Sequence, residues 1–170
     1  MIRLWHPMKD PHHCTFRILT LLTYRQDHTL GKAKLSLLDL FLLFPHYLND
    51  ISLPDLIRRQ CRDAGVPKKK ESFVHLPDLR LIYRELQQYQ KTALVRLVGK
   101  AIISHTAYEN NEISLVENSI PAPLMEHIET RITKDEMLLD LIANQIASLP
   151  LEGPDSLLRK TGLEMGGKLL

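Results

Sequence analysis

Residues 35–48 read LSLLDLFLLFPHYL, and this stretch decides the fold of the 170-residue chain. Apolar side chains occupy nearly every side of a helix built from it, and Asp39 is its one charged residue. A helix without a polar face must be buried all round, either in its own domain or against another chain. Complete burial is difficult within one domain of this size, so we predict that the end of the stretch contacts a partner chain. The predicted interface residues are Leu42, Phe44, Tyr47 and Leu48.

The surrounding sequence predicts further helices on both sides. Apolar residues recur at helical spacing in residues 12–24 and 34–44, and a short helical turn follows over 45–51. Residues 53–63 predict a third helix, with Pro54 near its start, where proline is tolerated. Three helices joined by short turns predict a compact unit similar to a helix-turn-helix.

A longer helix is predicted after the basic loop and a short extended segment over 72–76. Asp78 is a natural N-cap, and apolar residues continue at helical spacing as far as Val98. The glutamine-rich run over 87–90 leaves open a break between two helices.

The pattern then changes to that of a β-hairpin. Residues 104–108 and 112–117 flank the sequence Glu109-Asn110-Asn111, and asparagine tolerates the positive φ of a tight turn. We therefore predict two antiparallel arms at this point.

The last part of the chain is predicted to return to helix. Pro121 and Pro123 break the chain before more helix begins. Thr133 and Glu136 have the spacing of a capping box, which predicts a helix start at Thr133. A short helix over 157–159 precedes a loose tail.

Composition excludes several classes of protein. Apolar residues make up 44% of the chain and charged residues 25%, and 32 residues are leucine, which excludes a disordered chain and collagen. Two cysteines are too few for a disulfide scaffold and favour a reducing, cytoplasmic location. The most apolar stretch spans only ten residues, which is about half of a membrane span.

The net charge of +2 hides an asymmetry between the two parts of the chain. Residues 1–100 carry a net charge of +8 and residues 101–150 carry −6. This division indicates two faces with different partners, or simply two solvated surfaces. The basic residues form a candidate contact for a nucleic acid or an acidic protein, with a solvated basic face as the alternative. They are Arg58, Arg59, Arg62, Lys68, Lys69, Lys70, Arg80 and Arg84.

The chain contains no motif that carries a reaction. It lacks the glycine-rich phosphate loops, the HExxH motif and the nucleophile elbow, so we expect no enzyme and no cofactor. His6, His12, His13 and Cys14 form the only group of metal-type ligands in sequence. Adjacent histidines point to different sides of a helix, so we expect no metal there.

Parts of the first third of the chain resemble a bacterial family. The matching features are Trp5, the pair Asp10-Pro11, the run Phe16-Arg17-Ile18-Leu19, and the run from Leu38-Asp39 to Phe44-Pro45. They are similar to the middle components of the ABC-three-component systems, which include Lamassu-type defence operons.

The resemblance implies a fold and a role. The fold would be mainly α with a β-hairpin, namely a winged-helix-like domain (helix-turn-helix plus wing) over residues 1–120 and a helical extension over 121–170. The role would be that of a non-catalytic cytoplasmic adaptor between an SMC-like (Rad50-like) ATPase and a nuclease effector in anti-phage or anti-plasmid defence. Double-stranded DNA is a further candidate partner. Trp5, Phe16, Arg17, Asp39 and Phe44 would be structural.

A second hypothesis is a free-standing winged-helix transcriptional regulator, which would dimerise and bind duplex DNA alone. Its recognition helix should be basic. The candidate over residues 34–44 is filled with leucine and is poorly suited to read a groove. This comparison favours the adaptor.

Overall fold

The computed structural model describes residues 6–68 and 78–164. These residues form eight α-helices and two short β-strands. In chain order they are α1 (Pro11–Tyr24), β1 (Thr29–Gly31), α2 (Lys32–Leu43), α3 (Asp55–Asp63), α4 (Leu79–Gly99), α5 (His105–Glu109), β2 (Glu112–Ser114), α6 (Ala122–Lys134), α7 (Glu136–Asp140) and α8 (Leu157–Lys160). Short 3-10 helices cover Pro7–Lys9 and Pro45–Asn49, and a π-helix over Leu141–Ile146 continues from α7. The predicted segment 72–76 and the tail from residue 165 lie outside the described residues, as do Trp5, Lys69 and Lys70.

Helix α1 begins where the sequence supplies a cap and a proline. The carboxylate of Asp10 accepts hydrogen bonds from the backbone N–H groups of His12 at 2.8 Å and His13 at 3.4 Å. Pro11 follows in the first turn, where its missing N–H group costs no intrahelical hydrogen bond. The pair Asp10-Pro11 therefore sets the start of the helix.

Its own chain buries helix α2 along most of its length. Asp39, Phe41 and all its leucines except Leu43 lie in the core, among α1, α4 and the π-helix over 141–146. The predicted burial of this stretch is confirmed for these residues, whereas Leu43 and Phe44 at its end are half-buried. One domain provides it because the C-terminal helices cover the side of α2 that the first helices leave open.

A buried ion pair joins α1 to α2. The side chains of Arg17 and Asp39 are 3% and 0% exposed, and Arg17 Nε donates to Asp39 Oδ1 at 2.6 Å while Nη2 donates to Oδ2 at 3.1 Å. Burial opposes the charge of the guanidinium, but the Asp39 carboxylate outweighs it and holds the pKa of Arg17 above its ordinary value. The planar guanidinium fork matches the carboxylate and fixes how the two helices pack.

Helix α4 is connected to the same carboxylate through Gln90. The amide Nε2 of Gln90 donates to Asp39 Oδ2 at 2.8 Å and to the Ser36 carbonyl at 3.1 Å, and the Ser36 hydroxyl donates to Gln90 Oε1. The break left open over residues 87–90 does not occur, because α4 runs unbroken. Gln90 lies there because a buried carboxylate needs a further donor.

The strands pair differently from the predicted hairpin. Strand β2 pairs antiparallel with β1, with Leu30 opposite Ile113. The other edge of the β2 segment pairs with residues 102–104, through the bridge between Ile103 and Leu115. The first predicted arm, over 104–108, is wrong because Ser104 caps helix α5 there: its hydroxyl accepts a hydrogen bond from the Ala107 N–H.

The predicted positive φ is found at Asn111, but the turn connects helix α5 to β2 and does not join two strands. Asn111 has a φ of 61°, directly before β2. Its backbone carbonyl accepts a hydrogen bond from the Lys32 N–H at 2.9 Å, which connects the turn to the start of α2. An asparagine tolerates this left-handed conformation better than most residues.

The capping box predicted at Thr133 is wrong. Thr133 lies in the last turn of α6, where its hydroxyl donates to the Glu129 carbonyl at 3.0 Å. The next helix begins after Asp135, which makes no side-chain capping bond. A threonine hydroxyl within a helix can bond to a carbonyl four residues earlier, and this option competes with capping.

One apolar core spans the described residues, from Met8 to Leu163. Helix α6 packs on α1, and the π-helix packs on α2 and α3. The predicted boundary between two domains at residue 120 stays a prediction. Residues on both sides of it contribute to this core.

We predict that Asp39→Asn lowers the free energy of unfolding by about 3–5 kcal/mol, because it leaves the Arg17 guanidinium buried without its counter-charge. Urea denaturation followed by circular dichroism measures the change. The control is Glu109→Gln, which breaks an exposed contact with His105 and should cost under about 1 kcal/mol. A loss below about 1 kcal/mol for Asp39→Asn would show that the pair does not hold the helices together.

Candidate functional site

The predicted basic contact residues lie on two helices with different packing partners. Arg58, Arg59 and Arg62 are exposed on α3, which packs on the π-helix and on the 3-10 helix over 45–49. Arg80 and Arg84 are exposed on α4, which packs on α1 and α2. The sequence grouped these residues as one candidate contact, and the fold places them on separate elements.

Arg80 and Arg84 differ in what they contact. Arg80 Nε donates to the Gly162 carbonyl at 2.8 Å, which attaches the segment after α8 to the start of α4. Arg84 forms no ion pair with any residue in 6–68 or 78–164. Arg80 therefore has a structural contact, whereas the charge of Arg84 is available to a ligand. Lys68 is exposed at the end of the first described segment.

The outward side of α4 carries further polar residues that the sequence analysis did not select. Gln88, Lys91, Thr92 and Arg96 are exposed and recur every three or four positions with Arg84. The signal was present in the sequence as the polar half of an amphipathic helix. It was missed because the search for a recognition helix considered residues 34–44.

A cleft of about 990 Å³ opens beside this side of α4, between α2 and α5. Lys32, Lys34 and Lys91 line it together with Tyr83 and Tyr108. The Lys32 ammonium lies 3.5 Å from the centre of the Tyr108 ring, a cation–π contact that holds it at the cleft wall.

The lysines that line the cleft differ in whether they already bind other groups of the protein. Lys34 donates to the carbonyls of Ala147 and Leu149, and burial, followed by the charge of Arg25, lowers its pKa. Its charge therefore caps the end of the π-helix over 141–146. Lys91 is exposed and makes no ion pair within the described ranges.

Three of the four predicted interface residues lie in the core. Leu42, Tyr47 and Leu48 are 6%, 7% and 2% exposed. Phe44 is half-buried and stacks on His6 with ring centroids 5.7 Å apart; it also meets the rings of His46 and Tyr47 edge-on. Of the predicted set, Phe44 is the residue that a partner can reach.

The two cysteines are poor nucleophiles. Burial raises the pKa of the Cys14 thiol, and the charge of Asp39 raises it further. Burial also raises the pKa of Cys61. Within residues 6–68 and 78–164, no group of three or more histidine, cysteine or acidic side chains is arranged to hold a metal ion.

We predict that both thiols of the native protein react with a disulfide reagent more than about tenfold slower than a free cysteine at neutral pH, because the thiolate is disfavoured in the core. The reaction is followed by absorbance, and the protein in denaturant is the control, in which both thiols should react fast. Rapid reaction of either thiol in the native protein would contradict its burial and its raised pKa.

No helix among the described residues has the length and apolar character needed to cross a membrane.

Residues 3–166 match the family model of the ABC-three component (ABC-3C) system Middle Component 5. No protein of curated function and no solved structure matches the chain.

The chain therefore belongs to the ABC-3C Middle Component 5 family, as nearly its whole length matches. A middle component of a multi-component system has partner subunits, and membership fits a component of a defence system.

Proposed function

We propose that this protein is a non-catalytic adaptor in a Lamassu-type anti-phage or anti-plasmid defence system, where it joins an SMC-like (Rad50-like) ATPase to a nuclease effector. The observation that carries the proposal is the family match over residues 3–166, since a middle component works among other subunits.

A winged-helix arrangement is part of this proposal. Its support is the order of elements: helix α1, strand β1, helix α2, helix α4, then residues 102–104 and β2. The β2 segment lies between β1 and residues 102–104, and α5 takes the place of the wing tip. Helix α3 is then an insertion between the second and third helices of the motif.

Two surfaces suit binding to protein partners. The first is the Phe44 ring with His6 and His46 beside it, an aromatic group of the kind enriched at interfaces. The second is α3, where Leu56 is 66% exposed one turn from Arg59, with Asp55 and Asp63 also exposed on the helix. An exposed leucine on a helix of mixed charge fits a polar protein partner with an apolar contact at its centre.

The alternative function is a free-standing winged-helix transcriptional regulator. The exposed basic side of α4 favours this reading, since such a protein needs a basic recognition helix. The two functions differ in what the protein binds: the adaptor forms a stable complex with the products of neighbouring genes, whereas the regulator binds duplex DNA as a dimer of this chain.

We predict that the tagged protein, co-expressed with its neighbouring genes, co-purifies with a large ATPase and an effector, because a middle component has partner subunits. Native mass measurement of the purified complex gives its composition. Purification as a homodimer without other subunits would contradict the adaptor and support the regulator.

We predict that Phe44→Asp reduces recovery of the ATPase or the effector at least about tenfold in the same purification, because a charge replaces a half-buried aromatic contact. The control is Met137→Asp, which puts the same charge at a side chain 59% exposed on α7 and should leave assembly unchanged.

Circular dichroism of both variants separates loss of binding from loss of fold. Phe44→Leu, which keeps an apolar side chain, should retain more binding than Phe44→Asp. A folded Phe44→Asp variant that assembles normally would remove Phe44 from the interface.

A further inference from the structure

The outward side of α4 is a polar surface that the proposed adaptor role leaves without an assigned ligand. Its side chains are exposed and recur every three or four residues over four turns of helix. We call this the α4 face; it comprises Leu81, Arg84, Gln88, Lys91, Thr92, Val95 and Arg96. The opposite side of α4, with Leu86, Gln90 and Leu97, packs into the core.

The α4 face has an uncompensated positive charge. Arg84, Lys91 and Arg96 form no ion pair with residues in the two described ranges. The one acidic residue of α4, Glu85, is half-buried and pairs with Lys9 at 2.9 Å. An anionic ligand lying along the helix would therefore meet three cations and one partly exposed carboxylate, that of Glu85, whose charge is offset by Lys9.

We propose that the α4 face binds double-stranded DNA by lying in the major groove. This inference rests on the proposed function, in which the protein belongs to a complex that acts on foreign DNA, and it names the ligand of one surface. Arg84 and Arg96 are twelve residues apart, so the cations of the face extend over about 18 Å of the helix. A single α-helix fits the major groove, which is about 12 Å wide.

The residue types favour DNA over an acidic protein. Arginine can pair with guanine and glutamine with adenine through two hydrogen bonds each, and Gln88 lies between the cations Arg84 and Lys91. Val95, 53% exposed, suits contact with a thymine methyl group. A protein interface of this size is typically centred on aromatic residues, and the α4 face has none.

The neighbouring cleft supplies a cation for the phosphate backbone. Lys91 lines the cleft as well as the α4 face, and Lys32 lies in the facing wall. A DNA strand on α4 would bring a phosphate to this edge, where backbone contacts fix the position of the helix. The exposed Glu109 and Glu112 of the α5 region, and the exposed Glu152 of the cleft lining, would repel phosphates, so we assign no DNA contact to them.

The assignment moves the recognition helix from α2 to α4. Helix α2 was judged a poor groove reader from its leucines, and most of them lie in the core; the part of α2 that reaches the surface is its first turn, at the wall of the cleft. Helix α4 is the third helix of the proposed winged-helix arrangement, and its outward side is polar.

The test measures binding of the full-length protein to a fluorescent, mixed-sequence duplex of about 30 base pairs, roughly three helical turns. Fluorescence anisotropy is recorded between about 50 and 200 mM salt. The triple variant Arg84→Gln, Lys91→Gln, Arg96→Gln should bind at least about tenfold more weakly. The slope of log affinity against log salt should become shallower by up to about 2.7, or 0.9 per lost phosphate contact.

The matched control removes the same charge from α3, as Arg58→Gln, Arg59→Gln, Arg62→Gln. The affinity of this variant for the duplex should stay within about threefold of that of the unchanged protein at the same salt concentration. Its slope of log affinity against log salt should be unchanged. Circular dichroism checks the fold of both variants, whose substituted side chains are all exposed.

Three outcomes would overturn the inference. The first is an unchanged protein without salt-dependent affinity for duplex. The second is an equal loss of DNA affinity in the α4 and α3 variants, which would mean that binding depends on the net charge of the protein and not on the α4 face. The third is an α4 variant that keeps its DNA affinity but no longer co-purifies with the other subunits, which would make the α4 face a protein interface. Failure of the unchanged protein to co-purify, with DNA binding as expected, would overturn the adaptor role alone.

Discussion

The bidentate ion pair between Arg17 and Asp39 is the interaction on which the rest of the structure depends. A charged pair of this kind is costly to bury, and it stabilises a fold only when all its hydrogen-bonding groups find partners. Here Gln90 donates to the Asp39 carboxylate, while Arg17 Nη1 donates to the Pro7 carbonyl at 3.2 Å. The pair therefore fixes α1, α2, α4 and the N-terminal 3-10 helix against one another in a single arrangement.

This arrangement determines which surfaces are left for function. Because α2 is the centre of the core, it has no exposed face, and contacts with other molecules fall to the helices around it. Helix α4 presents a polar and cationic side, α3 presents Leu56 with side chains of both charges, and the Phe44 ring lies at the end of α2. An adaptor needs separate surfaces for separate partners, and one rigid core can hold all three in fixed relation.

The candidate site was predictable only in part, for reasons that particular residues show. The arginines of α3 and α4 were found because charge is local information, but their separation on two helices was not, since it depends on packing. Leu42, Tyr47 and Leu48 were assigned to a partner because burial by a partner chain and burial by the chain's own later helices give the same apolar pattern. Gln90 looked like a helix break because its buried partner, Asp39, lies 51 positions earlier in the chain.

The sequence by itself determined most of the helices, the Asp78 cap of α4, the burial of most of residues 35–48 and the family resemblance through Arg17, Asp39 and their neighbours. These features depend on periodicity and on contacts within a few residues. Only the tertiary structure decided that β2 pairs with β1, that Thr133 lies inside a helix, and that the basic side of α4 faces outward. The physical reason is that pairing, burial and exposure depend on segments far apart in the chain, whose meeting is set by the packing of the whole core.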